Sequence, residues 1–306
     1  MGRVSHGAGT LRRALVTGAA GFLGTHLVAR LLRDGVDVHG VSRLERSTPA
    51  DVRWHRSAFA DAAEVDHVLR SAQPDVIFHL GGDVTSSFGF DRIGTTFSSL
   101  LASTVHLLTS ATRLGVERVV LAGSYTEPDT RGVPAPSPYA AAKAGASLYA
   151  QTFHALYRTP VVVARIFMSY GPGQRAARLV PHVIASLLTG RAPRLSSGNY
   201  AADWVYADDV VEGIVRCAQL PALAGETIEL GTGRLTTVRE VAERIARLLD
   251  ARTPLNFGAR PPGPDPMRPA ADVDRTHALL AWHPTTTLDD GLGRTIAWYR
   301  RQEVAS

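Results

Sequence analysis

The sequence predicts an α/β fold built on a doubly wound parallel sheet, and three observations carry that prediction. Short apolar runs alternate with segments of helical period along most of the chain. A glycine cluster, Gly18-Ala19-Ala20-Gly21-Phe22-Leu23-Gly24, stands between the first apolar run and the first helical segment. Later apolar runs stop at Gly81-Gly82 and Gly123-Ser124, where the ligand-binding loops of such a sheet are expected.

Leu11 to Thr17 reads as the first buried strand. The helical run His26–Leu32 follows the glycines and ends at Gly35, and Val36 to Val41 reads as the second strand. Strand, glycine turn, helix and strand within about 30 residues is the setting in which a turn holds a dinucleotide pyrophosphate on a helix N-terminus. The spacing is G-x-x-G-x-x-G, and Gly18, Gly21, Phe22, Leu23 and Gly24 are the candidate cofactor residues. An acid after the second strand would hold the ribose 2′-hydroxyl of NAD, and an arginine there the 2′-phosphate of NADP. The chain has Ser42-Arg43 and no acid before Glu45, so NAD(P) is the cofactor class, leaning toward NADP.

Val52–His55 is a short third strand and Ala62–Ala72 a helix. Asp75–Leu80 is a strand running into Gly81-Gly82, a long helix covers about 97–114, and Val116–Ala122 is the next strand. Ser124 stands at its end, placed to hydrogen-bond a substrate hydroxyl or carbonyl. After a helix opening at Pro138, Pro160–Phe167 reads as a strand that Ser169-Tyr170-Gly171-Pro172-Gly173-Gln174 breaks sharply. Regularity then falls. Leu179–Leu188 is helical, Pro193–Leu195 is a short extended piece, and Asp203–Tyr206 leads into a helix opening at Ala207-Asp208-Asp209. Two aspartates at a helix start are read as caps for backbone N–H groups that oppose the dipole, in preference to a metal or catalytic pair. Thr227–Leu230 is a late strand, Thr237–Leu249 an amphipathic helix and Leu288–Arg301 a closing helix. The Pro/Gly-rich stretch Arg260–Arg268 is a charged loop suited to holding a ligand.

Pro138-Tyr139-Ala140-Ala141-Ala142-Lys143 contains the only lysine of the chain, every other strongly basic residue being arginine. On a helix, positions i and i+4 share a face, so Tyr139 and Lys143 project together. An ammonium beside a phenol favours the phenolate, giving a general acid/base for a hydroxyl or ketone. Arginine, with its broad fork, replaces that compact charge poorly.

Composition narrows the class. A chain of 306 residues, 45% of them hydrophobic, can bury a substantial core as one large domain or two intimately joined ones. No apolar run approaches the roughly 20 residues of a membrane span. Residues 1–13 lack the apolar core of a signal peptide, and His6 breaks the myristoylation pattern that Gly2 begins. Cys217 is the single cysteine, so no internal disulfide forms, and a cytoplasmic protein is expected. The net charge of +5 comes from scattered arginines without a basic run or interleaved aromatics, which argues against nucleic acid. No H-E-x-x-H and no cysteine pair is present, so no metal site is expected.

Taken together and in order, Gly18-x-x-Gly21-x-x-Gly24, Phe78-His79-Leu80-Gly81-Gly82, Ser124, Tyr139-x-x-x-Lys143, Arg165-Ile166-Phe167-x-x-Tyr170-Gly171-Pro172 and Asp203-Trp204-Val205-Tyr206-x-Asp208-Asp209 resemble the extended short-chain dehydrogenase/reductases that act on nucleotide sugars, the epimerase/dehydratase group. The resemblance runs from about residue 11 to 300. It implies a Rossmann-like NAD(P) domain (11–167 plus about 205–232) and a smaller substrate-binding subdomain (about 168–204 plus 233–303). It also implies a homodimer joined through the helices at about 97–114 and 138–157.

By the same resemblance, Tyr139 is the acid/base, Lys143 lowers its pKa and binds the nicotinamide ribose, and Ser124 polarises the reacting oxygen. Leu80, Gly81, Gly82 and Ile166 join the cofactor set. Ser124, Thr126, Met168, Leu179, Arg194, Arg260 and Arg268 form the candidate substrate set. Several positions depart from the pattern. Thr126 occupies the place of the dehydratase acid, with Glu127 one residue later, which disfavours a 4,6-dehydratase or a uronate decarboxylase. The loop from Ser124 to Tyr139 is short and proline-rich. Met168 replaces an Asn, Ala202 a phosphate-contacting Arg, and Ala58 an acid for the adenine; Arg194, Arg260 or Arg268 is then needed to meet the phosphate. The expected activity is a nucleotide-sugar 4-epimerase. The alternatives are an NADPH-dependent 4-keto-6-deoxysugar reductase of a deoxysugar pathway and, from another class, a non-catalytic NADP-binding regulator.

Overall fold

The computed structural model describes residues 11–84, 89–128, 133–261 and 268–304, the side chains of 303 and 304 excepted. Parts of two expected loops, 129–132 and 262–267, lie outside the described residues. The strands are β1 (Arg13–Thr17), β2 (Asp37–Ser42), β3 (Val52–Arg56), β4 (Val76–His79), β5 (Arg118–Ser124), β6 (Val161–Ile166), β7 (Met168–Tyr170), β8 (Ala201–Tyr206), β9 (Thr227–Leu230) and β10 (Leu235–Thr237). The helices are α1 (Phe22–Arg33), α2 (Ala62–Ala72), α3 (Arg92–Thr96), α4 (Ser103–Leu114), α5 (Pro138–Tyr157), α6 (Leu179–Leu188), α7 (Ala207–Gln219), α8 (Val238–Leu248), α9 (Val273–Leu280) and α10 (Leu288–Val304).

The main sheet has seven parallel strands in the order β3-β2-β1-β4-β5-β6-β9. Alternate residues of its central strands feed two cores. Ala14, Val16, Phe78, Val120, Val162 and Ala164 pack with Leu27 and Leu31 of α1 and with Val210 and Ile214 of α7. Leu15, Ile77, Val119, Leu121, Val161 and Val163 pack on the other face with Leu69 of α2, Leu107 of α4 and Ala146 of α5. Burial on both faces is why these strands read as unbroken apolar runs. Strand order reverses between β1 and β4, which opens a crevice at the carboxyl ends of these strands, beside Gly18 and Gly81.

The smaller sheet has the order β10-β8-β7, and a third core joins Tyr170, Trp204 and Tyr206 to Ile184 of α6, Ile245 of α8 and Leu292 of α10. Asp203 ties the two sheets together. Its buried carboxylate accepts the Thr232 N–H (2.7 Å), the Thr232 hydroxyl (2.5 Å), the Gly233 N–H (2.8 Å) and the Ala271 N–H (3.1 Å).

Three expectations need correction. The chain does not leave regular structure after Phe167, because Met168–Tyr170 pairs with Trp204–Tyr206 as β7, a long-range partner that local polarity conceals. The helix expected at about 97–114 begins at Arg92 and passes through a π-turn at Phe97–Ala102 before α4. Ser98, Ser103 and Thr104 return their hydroxyls to carbonyls four residues earlier, a bond that competes with the ladder and accompanies distorted turns. Finally, α7 carries no side-chain cap: Asp209 instead accepts the N–H groups of Thr285 and Thr286, while Asp208 pairs with His26 at 2.7 Å. Both aspartates still sit in the first turn, the favourable end for the dipole. Strand β10 and helix α9 have no counterpart in the sequence reading; α9 is capped by Asp272, which accepts the Arg275 N–H.

Candidate active site

The turn between β1 and α1 requires its glycines. Gly18 has φ +67°, and a Cβ there would lie 2.9 Å from the Gly81 nitrogen. A Cβ on Gly24 would lie 2.0 Å from the Gly18 carbonyl oxygen, so α1 packs on the turn with no room for a side chain. Gly21 donates to that same oxygen at 2.8 Å and precedes α1 without a side-chain cap or an acid in its first turn. The N–H groups of that turn are thus offered to an anion. Phe22 and Leu23, half-buried, begin the helix, and Phe22 meets the His26 ring edge-on at 5.6 Å.

The second glycine turn is fastened by a buried polar chain. The Gly81 N–H donates to the Thr17 hydroxyl (2.9 Å), which faces His79 Nδ1 (2.8 Å). His79 Nε2 meets the Thr104 hydroxyl (3.2 Å), and Thr104 donates to the Leu100 carbonyl (2.6 Å). One assignment satisfies every member: His79 protonated on Nε2, with Thr17 donating to Nδ1. Burial, with a smaller contribution from the Lys143 charge, pushes His79 down to about 3, so it stays neutral. Leu80 packs against the first core, and the Leu100 side chain occupies the space a Cβ on Gly82 would need, at 2.1 Å.

The edge that carries Ser124, Tyr139 and Lys143 is built from β5 and α5. Ser137 caps α5 by accepting the Ala140 N–H at 3.2 Å, and Pro138 follows at the first helical position, so Tyr139 falls in the first turn. One turn on, Lys143 is 6% exposed and donates to the Ala122 carbonyl at 2.6 Å. Burial draws its pKa down to about 8, opposed by the charge of Glu127. Ser124 ends β5, its hydroxyl 2.9 Å from that of Thr126. Glu127 turns inward and accepts the Ser124 N–H at 2.6 Å. Beside it, Arg165 binds Glu229 at 3.1 Å. A cavity of about 160 Å³ opens here, lined by Tyr125, Arg165, Phe167, Glu229 and Arg268 among others, with the Tyr125 and Phe167 rings stacked at 5.8 Å.

The remaining candidates divide. Arg268 reaches the Ser124 turn, donating to the Thr126 carbonyl at 3.2 Å. Arg194 and Arg260 are exposed on a separate ladder, where Arg194 bridges to Asn256 and donates to the Ala259 carbonyl. Met168 and Leu179 are half-buried against the third core, and Ile166 closes β6 while its carbonyl accepts the Tyr125 N–H. Ser42 ends β2 with its hydroxyl accepting the Leu44 N–H at 3.2 Å, and Arg43 is exposed beside it. The roles of Thr17, Thr104 and the Glu127–Arg165–Glu229 group are absent from the sequence reading. Arg165 and Glu229 do sit in register on neighbouring strands, but β6 and β9 are far apart in sequence.

The model of the NAD dependent epimerase/dehydratase family matches residues 14–231. The chain belongs to that family. It is therefore an enzyme of the extended short-chain dehydrogenase/reductase class with a nicotinamide cofactor, and the crevice fits one: at Gly18, Gly24, Gly81 and Gly82 an added Cβ would meet neighbouring atoms within 3 Å. The chain is 31% identical to the UDP-glucose 4-epimerase of Mycolicibacterium smegmatis, an alignment covering 95% of this chain and 99% of that one. It is 30% identical to a dTDP-glucose 4,6-dehydratase of Streptomyces antibioticus, over 94% and 92% of the two chains. Among solved structures, MoeE5 in complex with UDP-glucose and NAD superposes with a TM-score of 0.86 at 28% identity, over 95% of this chain and 99% of that one. Within the family, then, relatives of both the epimerase and the dehydratase kind resemble this chain over nearly its whole length.

Proposed function

We propose that this member of the family is a nucleotide-sugar 4-epimerase. The carrying observation is the acid inventory of the Ser124 turn. Elimination of water needs an acid facing the sugar, and the position two residues after Ser124 carries the Thr126 hydroxyl. The nearest carboxylate, Glu127, is 2% exposed and committed to the Ser124 N–H. A hydroxyl pair at the end of β5, with a tyrosine and a buried ammonium on one face of α5, suits reversible proton transfer at a sugar hydroxyl. Tyr139 takes the C4-hydroxyl proton, Ser124 hydrogen-bonds the same oxygen, and the Lys143 charge favours the phenolate. Bound NAD(P) supplies the hydride acceptor and donor. The 4-keto sugar then presents its other face and Tyr139 returns the proton. Glycine turns at 18–24 and 81–82 hold the dinucleotide, and Arg268 is the arginine best placed to meet the substrate.

In this reading residues 11–167 plus about 205–232 hold the cofactor and about 168–204 plus 233–303 close over the sugar, a boundary that falls within β8 of the smaller sheet. A homodimer forms through the helices that expose Phe97, Leu148, Tyr149, Leu156 and Tyr157, an apolar face suited to a second copy; the mass in solution checks this, a monomer at micromolar concentration counting against it. One observation favours a second reading. Arg43 is exposed at the end of β2, where a 2′-phosphate would sit, and an NADPH-consuming 4-ketoreductase would use the same three residues.

Incubation with UDP-glucose and with dTDP-glucose, products resolved by chromatography and proton NMR, separates the readings. The C4 epimer without net cofactor consumption is expected. A 4-keto-6-deoxy product would establish a dehydratase, and NADPH oxidation with a 4-keto-6-deoxysugar, without epimerisation, would establish the reductase.

A further inference from the structure

We infer that Glu127 is a positioning residue of the reacting centre: its carboxylate fixes the Ser124 end of β5 and is the counter-charge that keeps the buried Lys143 an ammonium. The inference rests on the reading of Ser124, Tyr139 and Lys143 as the reacting set.

A carboxylate only 2% exposed is costly unless it is paired and hydrogen-bonded. Glu127 holds Ser124 by both of its ends, accepting the Ser124 N–H on Oε1 (2.6 Å) and donating its own N–H to the Ser124 carbonyl (3.1 Å). Gly123 makes the space, since a Cβ there would lie 2.9 Å from Oε1. The other oxygen is 3.8 Å from Arg165, whose opposite nitrogen is held by Glu229 at 3.1 Å.

The lysine lies along the same strand edge. The Tyr125 N–H points to β6, where it donates to the Ile166 carbonyl, so strand alternation turns the Ala122 carbonyl and the Ser124 N–H to the opposite edge. Lys143 Nζ binds the first of these groups and Glu127 the second. The charged and titratable neighbours come from several elements, among them Arg268, which donates to the Thr126 carbonyl at 3.2 Å and lines the same cavity as Tyr125, Arg165 and Glu229. His79 on β4 is held neutral, Tyr139 is one turn away on α5, and Arg165 on β6 stands behind Glu127, itself balanced by Glu229 on β9. Glu127 is the group whose charge opposes the effect of burial on Lys143. Without it, desolvation drives the lysine toward the neutral amine, and the charge that favours the Tyr139 phenolate is lost.

A purely structural turn cap would need the carboxylate's shape and not its charge. Glu127→Gln preserves the acceptor for the Ser124 N–H and removes the charge. Because Lys143 is the only lysine, full-length protein labelled with ¹³C at the lysine Cε gives one resonance whose shift reports the ammonium directly. In Glu127→Gln its titration midpoint should fall by about one pH unit or more, while Glu127→Asp titrates close to the unaltered protein. Coincident titrations of Glu127→Gln and the unaltered protein would overturn the inference. Should Glu127→Gln not fold, Arg165→Met reads the same coupling from the other side: an unopposed carboxylate raises the midpoint, and no movement overturns the inference equally. The measurement needs no turnover. The expected shift in a protein that epimerises no sugar would support this role for Glu127 while defeating the epimerase reading.

Discussion

Lys143 and Tyr139 occupy the same helix face with opposite demands on their surroundings. The lysine is buried to 6% exposure against β5, and the tyrosine is half-buried toward the open end of the sheet. Burial lets the ammonium lose its proton at a lower pH, but it also strengthens its field at a phenol one helical turn away. On the proposed reading the Tyr139 oxygen is the proton-transferring atom, and its loss has a defined cost. Tyr139→Phe keeps the ring and removes the hydroxyl, so turnover should fall by about 10²- to 10⁴-fold while the bound nucleotide and thermal midpoint stay unchanged. Steady-state rates together with the absorbance of nucleotide released on denaturation check this. Undiminished turnover would remove Tyr139 from the chemistry and leave it as a helix-start aromatic. At this scale the sequence was informative, since a lone lysine in an arginine-rich chain, four residues after a tyrosine, could be singled out without coordinates. Glu127 could not be, because its meaning depends on Gly123 leaving space and on Arg165 arriving from a strand 38 positions later.

Elements whose signal is local were legible, and those held by distant partners were not. Helices α2 and α6 and strand β9 match the boundaries expected from periodicity alone, each being an amphipathic or apolar run between breakers. Strand β7 has three residues, two of them polar or amphipathic, and exists because β8 pairs with it. The aspartates that open α7 were correctly read as structural and incorrectly assigned to their own helix, since Asp209 binds residues 76 and 77 positions away. Asp203 is of the same kind: in the sequence it stands within the Asp203-Trp204-Val205-Tyr206 motif, and in the fold it is the knot between β8, the turn after β9 and the segment leading into α9. Asp203→Ala leaves the Thr232, Gly233 and Ala271 N–H groups without that acceptor, so the protein should lose about 3 kcal/mol of stability. Denaturant unfolding measures it, and a loss under about 0.5 kcal/mol would show the knot to be dispensable.

Across the whole molecule, two buried imidazoles contribute to the acid limb of stability, alongside carboxylates such as Asp208 and Glu212 that their partners hold below the usual range. His39, on β2 and hydrogen-bonded to His55 of β3 at 2.8 Å, is pushed down to about 4 by burial and then by the His55 charge; His79 is pushed down to about 3. A histidine whose folded pKa lies below its unfolded value stays neutral in the fold while the unfolded chain takes up the proton. Stability from these groups is accordingly full above about pH 6.5 and is lost as pH falls toward their folded values. The thermal midpoint should drop steadily from pH 6.5 to 4, and His39→Gln should flatten that slope without altering the midpoint's order of magnitude near neutrality. A slope unchanged in His39→Gln would assign acid sensitivity elsewhere. The same two-sheet architecture places the glycine crevice, the Ser124 turn and Arg268 at one end of the main sheet, and on the proposed reading this end oxidises and re-reduces one sugar carbon. The most direct test uses UDP-glucose carrying deuterium at C4, with the product and the nucleotide analysed after partial conversion. Deuterium retained at C4 of the epimer, with no label in solvent and no cofactor consumed, is the predicted result; loss of water from the sugar, or label accumulating on released nucleotide, would contradict it.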